Sequence, residues 1–193
     1  MELILASQSP RRHELLRSIG LAFVVEVADV DEDWHAGEDP IAYVERVAQA
    51  KAETIADRLA RPAGTVILAA DTTVDVDGEI LAKPVDDDDA RRMLHLMSRR
   101  THQVHTAVFG WTATGVHATT VTTDVTFVRL TDELVDWYLA TREHVDKAGA
   151  YGMQGAAGAL VARISGSPSN VIGLPLAGTV GVLRHCGLDL AAR

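Results

Sequence analysis

Apolar residues come in short runs and helical stripes, each closed by polar or glycine punctuation. Residues 3–6, Leu-Ile-Leu-Ala, form a continuous apolar run of the length expected for a buried strand. Ser9-Pro10 then opens a helix: serine suits the N-cap, and proline at the first helical position gives up only an amide that had no partner. Leu15, Leu16 and Ile19 give that helix an apolar face, and Gly20 ends it. Residues 23–27 predict a second strand, followed by the acidic stretch 29–39 around Trp34, which predicts an exposed loop. From Pro40 onward, Ile41, Val44, Val47, Ala48 and Ile55 recur at amphipathic helical spacing.

Further along, residues 66–70 predict a buried strand that delivers Asp71 at its end. Val74-Asp75-Val76 and Glu79-Ile80-Leu81 flank Asp77-Gly78, a strong hairpin signal. Asp86 to Asp89 crowd the first turn of a helix through Met97, where acids favour the positive end of the dipole. Two long strands, 101–111 and 117–130, are predicted to join at Thr114-Gly115 as a hairpin with one wet face. Thr131 starts a helix through Ala140. A glycine-rich stretch (147–158), a strand (159–164) and a helix (174–185) complete the pattern. Strands and helices intermix without repeat or linker. This predicts one α/β domain over residues 1–193, built on a mixed sheet with flanking helices.

Composition adds constraints on partners. Hydrophobic residues make up 47%, enough for a true core. With 18 basic and 27 acidic side chains the net charge is −9, which disfavours indiscriminate attraction to nucleic acid or an anionic membrane. A small anionic ligand then needs basic groups or a metal gathered locally. No apolar run approaches the ~20 residues of a membrane span, and Glu2 with its brief apolar run lacks the marks of a secretory signal. The single cysteine, Cys186, cannot form an internal disulfide. Together these features predict a cytoplasmic protein with neither nucleic acid nor membrane as partner.

Several residues carry candidate chemistry. Only Lys51, Lys83 and Lys147 among the basic residues are lysines, and each stands beside a punctuated stretch. A compact ammonium fits against a phosphate oxygen where a guanidinium fork would be too large, although three ordinary surface lysines would look the same. Ser7-Gln8-Ser9-Pro10-Arg11-Arg12, between strand and helix, suits an anion cradle of amides, hydroxyls and guanidinium groups. It suits a plain capped helix equally. Asp71-Thr72 at a strand end fits a carboxylate serving a crevice, or an Asx turn. Asp31-Glu32-Asp33 offers further metal carboxylates, or merely a solvated loop. An EF-hand reading of Asp75-Asp77-Gly78 fails, because Thr73 and Pro84 would fall where carboxylates are required. There is no HExxH, no GxGxxG and no Walker loop.

In order and spacing these stretches resemble the Maf family of nucleoside triphosphate pyrophosphatases, once named for septum formation. The resemblance is carried by Ser7 to Arg12, Ala50-Lys51-Ala52, Ala70-Asp71-Thr72 through Gly78 to Lys83-Pro84, and Thr101-His102-Gln103-Val104. It continues through Thr123-Asp124-Val125-Thr126-Phe127, the stretch Asp146-Lys147-Ala148-Gly149-Ala150-Tyr151-Gly152-Met153-Gln154-Gly155, and Asn170-Val171-Ile172-Gly173-Leu174-Pro175-Leu176. It implies a mixed twisted β-sheet in two lobes around a nucleotide cleft, similar to inosine triphosphate pyrophosphatases. It also implies hydrolysis of a nucleoside triphosphate to monophosphate and pyrophosphate, with a divalent cation, Mg2+ or Mn2+, as cofactor.

The branch of that family acting on dTTP and UTP carries arginine after Ser-Pro, an Asp-Thr pair and a Tyr-Gly-x-Gln-Gly loop. These match Arg11, Asp71-Thr72 and residues 151–155. The branch acting on 7-methyl-GTP carries tryptophan, Asp-Gln and Lys-Ser-Glu instead, none of which is present at these positions. By resemblance Asp71 activates water as proton acceptor or metal ligand, with Glu32 as second metal carboxylate. Ser7, Ser9, Arg12, Lys51 and Lys83 would bind phosphates, and Arg11, Thr72 and Gln154 would set base selectivity. Modified pyrimidine nucleotides stand beside dTTP and UTP as substrates, and the choice between monomer and homodimer is left open. A nucleotide-binding regulator of cell division with little turnover would keep the same cradle, but retention of Asp71 weighs against it.

Overall fold

The computed structural model describes residues 1–190. It forms two compact units. The first comprises Met1–Asp71, Thr106–Val121 and the described residues from Gly173 on; the second comprises Thr72–His105 and Thr122–Ile172.

In the first unit, β1 (Glu2–Leu5) leads into α1 (Pro10–Ser18), with Pro10 in the first turn as its fixed φ allows. Gly20, at φ 77°, closes that helix by donating its amide to the Arg17 carbonyl at 2.9 Å. The second strand is much shorter than the sequence predicts. Only Val24–Val25 form β2, paired parallel with Ile4 and Leu5, and both valines are exposed. α2 (Pro40–Arg58) starts at Asp39, whose carboxylate accepts from the amides of Ile41 and Ala42. Val44, Val47, Ala48, Ala52, Ile55 and Ala56 are buried along it, and all of these but Val47 pack in one cluster with Ile4, Ile67, Ala69, Ala107, Phe109 and Trp111.

β3 (Thr65–Val76) pairs parallel with β1 over Thr65 to Leu68. It does not stop at Asp71 as the apolar run predicts. The Asp77-Gly78 turn, with both residues at positive φ, folds β4 (Glu79–Leu81) back onto Val74 to Val76, so one continuous strand carries Asp71 at its middle. α3 (Asp87–Met97) begins with the Asp86 side chain accepting from the Asp89 amide. β5 (Thr101–Thr112) and β6 (Gly115–Phe127) follow.

The expected wet face is absent from β5. The strand order is β2-β1-β3-β5-β6-β7, with β4 also on β3. β5 is buried from Val104 to Thr112 because both faces are covered: Ala107, Phe109 and Trp111 pack with α2, and Gly110 on the other face lies against Val182 and Cys186. α4 (Asp132–Ala140), capped by Thr131, precedes β7 (Val161–Ser165), which pairs antiparallel with the end of β6. A short helix absent from the sequence reading, α5 (Pro168–Ile172), comes before α6 (Leu176–His185). In the second unit the core gathers Val74, Leu81, Met93, Leu94, Met97, Phe127, Tyr138, Tyr151 and Leu160.

Candidate active site

The first three strands create an opening. They run parallel, in spatial order β2-β1-β3, although the chain visits β1, then β2, then β3. The connection through α1 leaves β1 on one side, and the connection through α2 returns to its other side. Such a reversal opens a crevice beyond the carboxyl ends of the strands, the usual ligand position in open α/β sheets. Four elements deliver polar residues there. The turn after β1 brings Ser7 and Ser9, α1 brings Arg12, α2 brings Lys51, and β3 reaches three residues past its last β1 pair to place Asp71.

Ser7, Arg12, Lys51 and Asp71 are all buried. Lys51 occupies a place in the apolar stripe of α2, and its Nζ donates to Asp71 Oδ1 at 2.8 Å. The same nitrogen stands 2.8 Å from Glu32 Oε1, so one ammonium joins two carboxylates from different segments. Burial is the largest influence on Asp71 and raises its pKa; the positive charges of Lys51 and Arg12 pull it back down. Burial lowers the Arg12 pKa, partly offset by the charge of Asp71. Arg12 is held by its Nε donating to the Gly173 carbonyl at 2.8 Å and its Nη1 donating to Ser7 Oγ at 3.3 Å. Ser7 Oγ also accepts from the Ser9 amide at 3.2 Å, and the Ser9 hydroxyl makes no helix-capping bond.

Glu32 lies in the exposed acidic loop, yet that loop is held. The Tyr43 hydroxyl donates to the Glu32 carbonyl at 2.8 Å and Arg46 Nη2 to the Asp33 carbonyl at 2.9 Å. Arg46 also grips Glu38 through Nε and Nη2, lowering the Glu38 pKa to about 2. Tyr43, Arg46 and the Gly173 carbonyl are supports that the sequence reading did not single out. Tyr43 and Arg46 lie three residues apart on α2 and are half-buried, a spacing that in the sequence is read equally well as ordinary surface.

The structure therefore brings together Ser7, Ser9, Arg12, Glu32, Lys51 and Asp71, with Arg11 half-buried beside Arg12 at the start of α1. Thr72, Lys83 and Gln154 belong to the second unit: Thr72 is half-buried on β3, Lys83 is exposed after β4, and Gln154 is exposed in the loop after Tyr151. That loop is anchored at its start, where Tyr151 Oη and His102 Nε2 are 2.8 Å apart and both rings pack edge-on against Phe127. Burial lowers the His102 pKa to about 4. Among the described residues no group of three or more His, Cys, Asp or Glu is placed to hold a metal. The available donors are the two carboxylates converging on Lys51, hard oxygens of the kind Mg2+ and Mn2+ take alongside substrate phosphates.

A family model for Maf-like proteins matches residues 2–186. The chain belongs to the Maf-like family. A dTTP/UTP pyrophosphatase of Anaeromyxobacter dehalogenans (strain 2CP-1) is 50% identical to this Maf-like chain over 192 residues, covering 97% of this chain and 95% of the relative. A dTTP/UTP pyrophosphatase of Myxococcus xanthus is 49% identical over 193 residues, covering 99% and 95%. Among solved structures, the Staphylococcus aureus Ham1 protein superimposes with a TM-score of 0.53 at 14% identity, covering 96% of this chain and 97% of that one. At that identity the likeness is one of fold. No helix among the described residues is long and apolar enough to cross a membrane.

Proposed function

We propose that this Maf-like chain hydrolyses dTTP and UTP to the nucleoside monophosphate and pyrophosphate. The observation that carries the proposal is the buried Lys51 ammonium bridging Asp71 and Glu32, beside the Arg12–Ser7 pair and beyond the carboxyl ends of β1 and β3. A buried lysine paired with carboxylates is costly to fold around and gives little net stability. Its use lies in chemistry. The pyrimidine preference is supported by the dTTP/UTP pyrophosphatase relatives and by Arg11, Thr72 and Gln154 in the matching stretches.

In this reading Asp71 accepts the proton of a water aimed at the α-phosphorus. The water oxygen bonds to that phosphorus, the bond from phosphorus to the oxygen bridging the β-phosphate breaks, and pyrophosphate leaves with the electron pair. A carboxylate whose pKa is raised by burial holds the proton better than a solvated one, while the charges of Lys51 and Arg12 favour its ionised form. Arg12, Ser7, Ser9, Lys51 and Lys83 offset the triphosphate charge, and Gln154 pairs with the thymine or uracil edge through an amide that both donates and accepts. A divalent cation, Mg2+ or Mn2+, would be held by Asp71 and Glu32 and would supply charge neutralisation and water acidification. A binding regulator without turnover would show the same affinity and no product. The test is a panel of dTTP, UTP, CTP, ATP and GTP with Mg2+ or Mn2+, following pyrophosphate and orthophosphate separately. Pyrophosphate release fastest from dTTP and UTP supports the proposal; orthophosphate as first product, or binding without turnover, contradicts it.

A further inference from the structure

The segment between α4 and the Gln154 loop is fixed from both sides by alternate residues. Arg142 Nη1 donates to both carboxylate oxygens of Asp87, at 2.8 and 2.7 Å, and His144 Nε2 lies 2.9 Å from Asp87 Oδ1. Asp87 stands in the first turn of α3, so residues 142 and 144 are tied to that helix. Glu143, between them, engages the Gln154 loop instead. Its Oε2 accepts from the Ala156 amide at 2.8 Å. The fit against the loop is close: a Cβ built on Gly155 would lie 2.0 Å from Glu143 Oε2 and 2.5 Å from its Cδ. One turn further on, the Lys147 ammonium donates to the Glu143 carbonyl, and a Cβ on Gly152 would meet Lys147 Cε at 2.5 Å. Both glycines flanking Met153-Gln154 are thus contact points for the stretch 143–147, where a Cβ would displace the ends of the Glu143 and Lys147 side chains.

We infer that Glu143 is a positioning residue for base selection: its carboxylate, on the Ala156 amide and against Gly155, fixes the loop that presents Gln154. The inference rests on the proposed reading of dTTP and UTP by Gln154. Without this bond the triphosphate groups and Asp71 are untouched, so the loss falls on substrates whose base Gln154 recognises. Glutamine at position 143 keeps an oxygen able to accept from Ala156, whereas alanine does not.

The experiment compares wild type, Glu143→Ala, Glu143→Gln and Gly155→Ala, the last displacing the carboxylate with no change at position 143. Two quantities are read: amide hydrogen exchange at Ala156 in nucleotide-free protein, and kcat and KM for UTP and GTP with Mg2+. Glu143→Ala and Gly155→Ala should speed exchange at Ala156 and lower kcat/KM for UTP about tenfold, mainly through KM, with GTP changed much less. Glu143→Gln should stay near wild type in both. Unchanged exchange in Glu143→Ala, an equal proportional loss on UTP and GTP, or failure of glutamine to rescue overturns the inference. A wild type that releases no pyrophosphate from UTP overturns the functional reading and this inference with it. That result is distinct from variants that turn over with the wild-type UTP-to-GTP ratio, which overturn the inference alone.

Discussion

Asp71 and Arg12 are the residues where charge has been placed against the usual tendency of a core. Both are buried; Asp71 is tolerated because the charges of Lys51 and Arg12 stand close, and Arg12 because those of Asp71 and Glu32 do. Replacing Asp71 by asparagine keeps the shape and an acceptor for Lys51 but removes the proton acceptor. Turnover of UTP should fall at least ~10²-fold while the circular dichroism spectrum stays near wild type. Near-normal turnover would place the chemistry on another group. Arg12→Lys tests geometry instead of charge, since a single ammonium cannot span Ser7 Oγ and the Gly173 carbonyl as the guanidinium does. Losing one charge-assisted bond of about 1.5–3 kcal/mol should raise KM for UTP roughly ten- to a hundredfold, measured under the same Mg2+. An unchanged KM would remove Arg12 from the phosphate cradle. Lys51 was legible in the sequence as one of only three lysines, each beside a punctuated stretch, whereas its place in the apolar stripe of α2 emerges from the fold. The supports from Tyr43, Arg46 and Gly173 were not, because contacts between segments distant in sequence leave no local pattern.

The elements divide in the same way. α2, α3 and α4 start where the side chains of Asp39, Asp86 and Thr131 cap them locally, whereas α1 starts at Pro10, whose fixed φ suits the first turn, without a capping bond from the Ser9 side chain. What the chain's local pattern missed was set by neighbours. β3 runs through Asp71 because β4 folds back on it, and β5 is dry because α2 covers one face and Val182 and Cys186 the other. The apolar run before Asp71 placed the carboxylate correctly even though it misplaced the strand end. Gly149 shows how tightly the second unit is joined at this level: it holds φ 66°, its amide donates to the Ala82 carbonyl at 3.2 Å, and a Cβ there would lie 2.9 Å from Val74 Cγ2. Gly149→Ala therefore combines a left-handed backbone with overpacking and should destabilise by about 2–4 kcal/mol in urea unfolding. A change below about 0.5 kcal/mol would mean that the chain there adjusts freely.

For the whole molecule, His102 couples folding to pH. Burial holds its pKa at about 4, against an ordinary 6.5, so the native state keeps the imidazole neutral where the unfolded chain takes up a proton. Between those values the unfolded state binds more protons, and stability rises with pH. The contribution is therefore complete above about pH 6.5 and is lost progressively down to about pH 4, on the order of 3 kcal/mol in all. His102→Gln, which keeps hydrogen-bonding capacity for Tyr151 without titrating, should flatten that part of a denaturation-against-pH curve. The same steepness in both proteins would assign the effect to other groups.

In the proposed reaction Asp71 directs water to the α-phosphorus. Hydrolysis of UTP in 18O-labelled water with Mg2+, followed by mass spectrometry of both products, reads the site of attack directly. One labelled oxygen is expected in the UMP and none in the pyrophosphate, with the signal all but abolished in Asp71→Asn. Label in the pyrophosphate, or in orthophosphate with UDP as co-product, would contradict it.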